Sequence, residues 1–163
     1  MNESGDLHTV PAEFIALLTE RKLKIATAES CTGGLIAAML TEVPGSSVVV
    51  DRGFVTYSNE AKTEMLGVDP NLIARVGAVS AEVAAAMVEG AIARSDADLA
   101  VAVTGIAGPD GGTPEKPVGL VHLAAMRRGD KPVLAEYRFG DIGRAKVRLA
   151  SVREALAMLT ALV

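Results

Sequence analysis

The chain of 163 residues suits one domain, and its net charge of −4 with a sequence pI near 5.2 excludes broad electrostatic binding to nucleic acid. Half of it is hydrophobic but only 3% is aromatic, so a substantial core can form and is built on small side chains, Ala above all. A single cysteine excludes an internal disulfide or a Cys-rich zinc site. The opening "MNESGDLHTV" lacks a signal-peptide layout and no apolar run reaches about 18 residues, so a soluble cytoplasmic protein with no membrane partner is expected.

The elements follow in chain order. Residues 1–8 read as a flexible start. "HTVPAEFIALLTERK" reads as a helix with Thr9 as cap and Pro11 in its first turn. "LKIATAE" is a short strand, and "TGGLIAAMLTEV" a helix that stops before Pro44-Gly45. "SSVVVDRGFVTYS" is a β-branched second strand, and "SNEAKTEML" a short helix capped by Ser58. A longer helix follows in "GAVSAEVAAAMVEGAIARSD", with Ser80 as its cap. "DLAVAVTGIAGPDGGTPEKPVGLVHLAAM" reads as strand, long Gly/Pro loop, strand, and "PVLAEYRF" as a further strand. The span 118–139 looks like a hairpin closed by "RRGDK". The last segment is a helix whose Leu149, Val152, Leu156 and Leu159 form one apolar stripe. Helices alternating with strands predict one layered α/β domain over residues 1–163, with a mixed sheet.

Three polar, glycine-bearing segments sit beside strand ends: "AESCTGG", "TYSNEAK" and "TGIAGPDGGTPEKPVG". In open α/β sheets, sites form outside strand ends. In the first, Ser30 and Cys31 are adjacent candidate nucleophiles, and the N–H groups after Ser30 lie near a helix start that favours an anion or oxyanion. The same stretch also reads as a capped helix start with a tight turn. The third segment is too long for an ordinary hairpin and matches neither the Walker phosphate loop nor G-x-G-x-x-G.

A serine nucleophile needs a base. His8 lies in the start of the chain and His122 alternates with apolar neighbours mid-strand, so a Ser-His-Asp triad is poorly supplied. Lys62 follows a strand end near Tyr57. Bringing a lysine from about 10.4 to 7 takes ~4–5 kcal/mol of differential stabilisation, which burial can supply. By itself Lys62 also reads as a solvated helix lysine. A thiolate at Cys31 would be activated at a helix N-terminus, but a lone Cys is commonly a small buried hydrophobe. No metal-ligand spacing occurs. Arg144 and Arg148 lie one helical turn apart, and Arg148 reads as part of a solvated basic face.

Together, "AESCTGG", "TYSNEAK" and "VTGIAGPDGGTPEKPVG" resemble the signatures of the CinA C-terminal domain family (competence/damage-inducible protein A), in its stand-alone PncC-type form. The resemblance runs from about Phe14 to Leu162. It implies a three-layer α/β/α domain with a mixed, mainly parallel sheet, a homodimer or higher homo-oligomer, and no cofactor or metal. The implied activity is hydrolysis of the carboxamide of nicotinamide mononucleotide to nicotinate mononucleotide and ammonia, in pyridine nucleotide salvage. By the same resemblance Ser30 is the nucleophile, with Lys62 and Tyr57 activating or positioning it. Glu29, Thr32, Gly33, Gly34, Thr104, Gly105, Gly108 and Arg144 are then the substrate-binding residues, Arg144 meeting the phosphate or neighbouring groups. The chain is too short to hold the N-terminal domain of two-domain CinA proteins, so that domain's activity is expected to be absent. Two other readings stay open: a pyridine-nucleotide-binding module without catalysis, and an amidase that uses Cys31.

Overall fold

Strand β3 (Leu99–Gly105) shows how the fold is built, because its side chains alternate between large and small. Leu99, Val101 and Val103 point to one face of the sheet, Ala100 and Ala102 to the other, and all five are fully buried. A strand covered on both faces is what such a continuous apolar run encodes. The computed structural model describes residues 3–163, with side chains from Thr9 onward. The expected flexible start, residues 1–8, lies outside the described side chains.

The sheet has five strands in the order β2-β1-β3-β4-β5, where β1 is Ile25–Glu29, β2 Val50–Val55, β4 Leu120–Arg127 and β5 Val133–Arg138. β1 pairs parallel with β2 and β3, and β4 pairs antiparallel with β3 and β5. Four strands therefore run one way and only β4 is reversed, the mixed sheet expected. Helices cover both faces, giving three layers. On the face of Leu99, Val101 and Val103 lie α1 (Glu3–Arg21), α2 (Leu35–Thr41) and α6 (Arg144–Thr160), packed through Phe14, Leu18, Ile36, Leu40, Leu156 and Leu159. On the alanine face lie α3 (Asn59–Leu66), α4 (Pro70–Val76) and α5 (Ala81–Ala93). There the sheet is small and the helices supply the bulk, through Leu66, Ile73, Val83, Met87 and Val88. Each such fully buried side chain contributes about 1.5–3 kcal/mol. Among the described residues no helix is long and apolar enough to cross a membrane.

The caps explain several boundaries. Ser58 Oγ accepts the Ala61 N–H at 3.0 Å and starts α3; Ser80 Oγ accepts the Val83 N–H at 3.3 Å and starts α5. Four boundaries differ from the sequence reading. Pro11 lies inside α1 rather than in its first turn. Helix α2 begins at Leu35, not Thr32, because Gly33 and Gly34 take φ of 60° and 102°, outside the helical region. The β-branched run after Gly45 does not start as strand: Ser46–Val48 form a short 3-10 turn, and β2 begins at Val50. Helix α4 was not anticipated, although Asp69 caps it and Pro70 stands in its first turn.

Candidate active site

The three parallel strands end side by side, and each delivers a polar segment to the same crevice. Ser30 follows β1, Thr56 and Tyr57 follow β2, and Ile106–Gly108 follow β3. Strand order reverses between β1 and β3, and ligands of open α/β sheets bind at such a point. The Ser30 N–H donates to Val103 O across it at 3.0 Å. The resulting cavity, about 280 Å³, is lined by Ser30, Cys31, Tyr57, Asn59, Lys62, Thr104, Gly105, Gly108, Asp110 and Arg144, among others.

Lys62 is the unusual feature. Helical spacing from the Ser58 cap turns it inward, and its side chain is 1% exposed. Its Nζ lies 2.9 Å from Ser30 Oγ and 2.8 Å from Thr56 O, with the Tyr57 and Ser58 carbonyls at 3.5 Å. Among the described residues no carboxylate forms an ion pair with it. Burial lowers its pKa below the ordinary lysine value, because the charged form loses its water. Cys31 responds the opposite way: burial first, and the Glu29 charge after it, push the thiol up to about 11. Of the two adjacent candidates, it is the Ser30 hydroxyl that lies within hydrogen-bond distance of the buried amine.

The other expected residues divide. Thr104, Gly105, Gly108 and Arg144 do line the cavity. The Thr104 hydroxyl donates to Ala78 O at 2.9 Å and fixes the segment before α5. Arg144 spans the mouth, donating to Gly108 O at 2.9 Å and to the Tyr57 hydroxyl at 2.8 Å. Tyr57 is 60% exposed, lines the cavity and accepts from Arg144 at its hydroxyl. Glu29, Thr32, Gly33 and Gly34 are absent from the lining. Glu29 is fully buried and accepts the Thr32 hydroxyl at 2.7 Å, the Ile36 N–H at 2.7 Å and the Ala37 N–H at 3.1 Å. Its carboxylate thus occupies the start of α2, so the Ile36 and Ala37 N–H groups are committed to it. Gly33 and Gly34 shape the turn instead, through their positive φ.

Arg148 is a second correction. It is half-buried rather than solvated, and its Nη2 donates to Thr32 O at 2.9 Å. His122 is the packed strand residue expected, 8% exposed, with a pKa lowered by burial. Asn59 and Asp110 line the cavity without having been singled out as binding residues, although both stand inside the motifs. Among the described residues, no cluster of three His, Cys, Asp or Glu could hold a metal.

The CinA C-terminal domain family model matches residues 7–163. The chain belongs to this family. A CinA-like protein of Akkermansia muciniphila is 64% identical over 112 residues, covering 69% of this chain and 27% of that protein. One from Syntrophus aciditrophicus is 49% identical over 154 residues, covering 94% and 36%. The chain therefore spans about a third of the length of these relatives. Among solved structures, the competence/damage inducible protein CihA of Agrobacterium tumefaciens superposes with a TM-score of 0.95 at 57% identity, covering 96% of this chain and 95% of that one. An Escherichia coli protein of the CinA superfamily gives 0.92 at 35% identity, covering 100% and 94%. The fold of the CinA C-terminal domain is thus present, with the three motif segments at neighbouring strand ends.

Proposed function

We propose that this CinA-family chain is an amidohydrolase that converts nicotinamide mononucleotide to nicotinate mononucleotide and ammonia, with Ser30 as nucleophile and Lys62 as base. The observation that carries the reading is the buried Lys62 amine 2.9 Å from Ser30 Oγ, in no ion pair among the described residues. A neutral amine has two N–H donors and one lone pair. Thr56 O takes one donor at 2.8 Å, and the Tyr57 and Ser58 carbonyls, each at 3.5 Å, share the second. The lone pair is left for the Ser30 O–H.

In the first step the Ser30 proton passes to Lys62 Nζ as Oγ bonds to the carboxamide carbon. The carbonyl becomes an oxyanion, and the reading assigns its stabilisation to the Cys31 N–H, next in the chain to the nucleophile. The C–N bond then breaks and Lys62 returns its proton to the departing nitrogen, releasing ammonia. Water attacks the acyl-serine with Lys62 again as base, the bond from the acyl carbon to Oγ breaks as Lys62 returns that proton to Ser30 Oγ, and nicotinate mononucleotide leaves with its acid proton passing to solvent. Arg144, held at the mouth by Gly108 O and the Tyr57 hydroxyl, binds the substrate phosphate. Binding energy from that remote phosphate orients the amide, so free nicotinamide is expected to be a poor substrate.

Ammonia release from nicotinamide mononucleotide by Ser30→Ala and Cys31→Ala variants tests the assignment. The serine reading expects a loss of about 10³-fold or more in the first and activity within severalfold of wild type in the second. The reverse pattern would move the chemistry to Cys31, against a thiol pushed up to about 11. Equal release from nicotinamide and its mononucleotide would remove the phosphate's role.

A further inference from the structure

The geometry points to Arg148 as a positioning residue that polarises the oxyanion donor through two peptide groups. This rests on the reading of Ser30 as nucleophile. Arg148 Nη2 donates to the Thr32 carbonyl at 2.9 Å. The N–H of that same peptide group is the Gly33 N–H, which donates to the Ser30 carbonyl at 3.0 Å. The N–H of the Ser30 peptide group is in turn the Cys31 N–H, on a residue that lines the cavity.

The guanidinium thus heads a chain in which each peptide accepts at its oxygen and donates at its nitrogen, all in one direction. Hydrogen bonds in series polarise one another, and a charged donor at the head strengthens every link. The Ser30 N–H is committed to Val103 O at 3.0 Å, so it does not compete for the substrate oxygen. Gly33 at φ 60° lets the turn close over the guanidinium, with a Cβ placed there 3.6 Å from Arg148 Nη2. Glu29 grips the other side through the Thr32 hydroxyl at 2.7 Å, so the segment cannot rotate away from the pull.

The contribution falls on the transition state, because negative charge on the substrate oxygen develops only there. The test measures kcat and KM for ammonia release in wild type, R148M and R148K, with the Tm of each, and the p-nitrophenol burst from p-nitrophenyl acetate, an activated ester with no nucleotide. In R148M, kcat is expected to fall about tenfold or more while KM stays within about twofold. R148K recovers part of the loss, ester acylation slows in the same order, and the acid limb of the pH profile stays in place. Wild-type kcat in folded R148M overturns the inference. So does a raised KM at unchanged kcat, which would make Arg148 a ligand contact. Should R148M fail to fold, R148K decides: a lower kcat with an upfield-shifted Cys31 amide proton supports the relay, and wild-type values of both overturn it. If wild type releases no ammonia yet acylates from the ester, and R148M slows that burst, the substrate assignment falls and the relay stands. If wild type does neither, both fall together.

Discussion

Lys62 and Ser30 stand 32 residues apart in the chain, and their chemistry depends on where the lysine's proton sits. Burial lowers the folded-state pKa of Lys62, while in the unfolded chain it titrates near its ordinary value of 10.5. Between those two values the unfolded state binds more protons than the folded one. The slope of stability against pH is therefore positive across that window, and the penalty for burying the amine is present in full only below the folded value. Urea midpoints measured against pH should show wild type gaining on Lys62→Met as pH rises toward 10.5. A pH-independent difference would mean that Lys62 is not depressed. The same titration governs catalysis: kcat/KM is expected to rise with pH through the folded Lys62 value and then level.

The sequence supplied the candidates at this scale and left the choice between them open. Spacing alone read Lys62 as base or solvated lysine and "SC" as two rival nucleophiles. The proposed choice rests on burial, which acts oppositely on an amine that must lose a proton and on a thiol that must lose one to become charged. Arg148 was misread because its partner, the Thr32 carbonyl, lies 116 residues earlier. A helical period shows which face of α6 a residue occupies, not which loop packs against that face.

At the scale of elements, the site rests on how α3 is held, since α3 carries Lys62. Helix α5 approaches it closely at Gly90, where an added Cβ would run into the Leu66 carbonyl. Alanine is a better helix former than glycine by about 1 kcal/mol. The clash is with backbone and cannot be relieved by a side-chain rotation, so Gly90→Ala is expected to lower stability by about 1–3 kcal/mol. Because α3 must shift to make room, kcat should fall as well. A Tm at or above wild type would show that the α3–α5 contact is loose. Elements marked by caps were legible: Ser58 and Ser80 placed α3 and α5 where they stand. Helix α4 carried an equally readable Asp-Pro start and went unassigned. The start of β2 was not legible, because Ser46–Val48 run straight into the β-branched Val49 and Val50 but turn after Gly45 at φ 86°. Glu29 was expected as a substrate contact by resemblance, whereas its side chain turns under α2 and accepts the Ile36 N–H.

Across the whole molecule, the sheet divides the labour between its faces. Large strand side chains meet α1, α2 and α6, and alanines meet the bulkier α3–α5 layer. The α/β class was legible from helices alternating with strands, and the mixed sheet from the hairpin over 118–139. The gathering of three strand ends into one crevice follows from strand order, which local pattern does not encode. Hydrogen exchange should be slowest in β3, whose residues Leu99–Val103 are fully buried, and fastest in the exposed loop 109–115. Fast exchange in β3 would contradict a core spanning both faces.

The central claim is that a neutral lysine activates Ser30 toward a nucleotide carboxamide. Its most direct test is ammonia release from nicotinamide mononucleotide by purified wild type, Ser30→Ala and Lys62→Met, each shown to be folded. The account predicts release by wild type, rising with pH, and a loss of about 10³-fold or more in both variants. Release by Lys62→Met at the wild-type rate, or none by folded wild type, would contradict it.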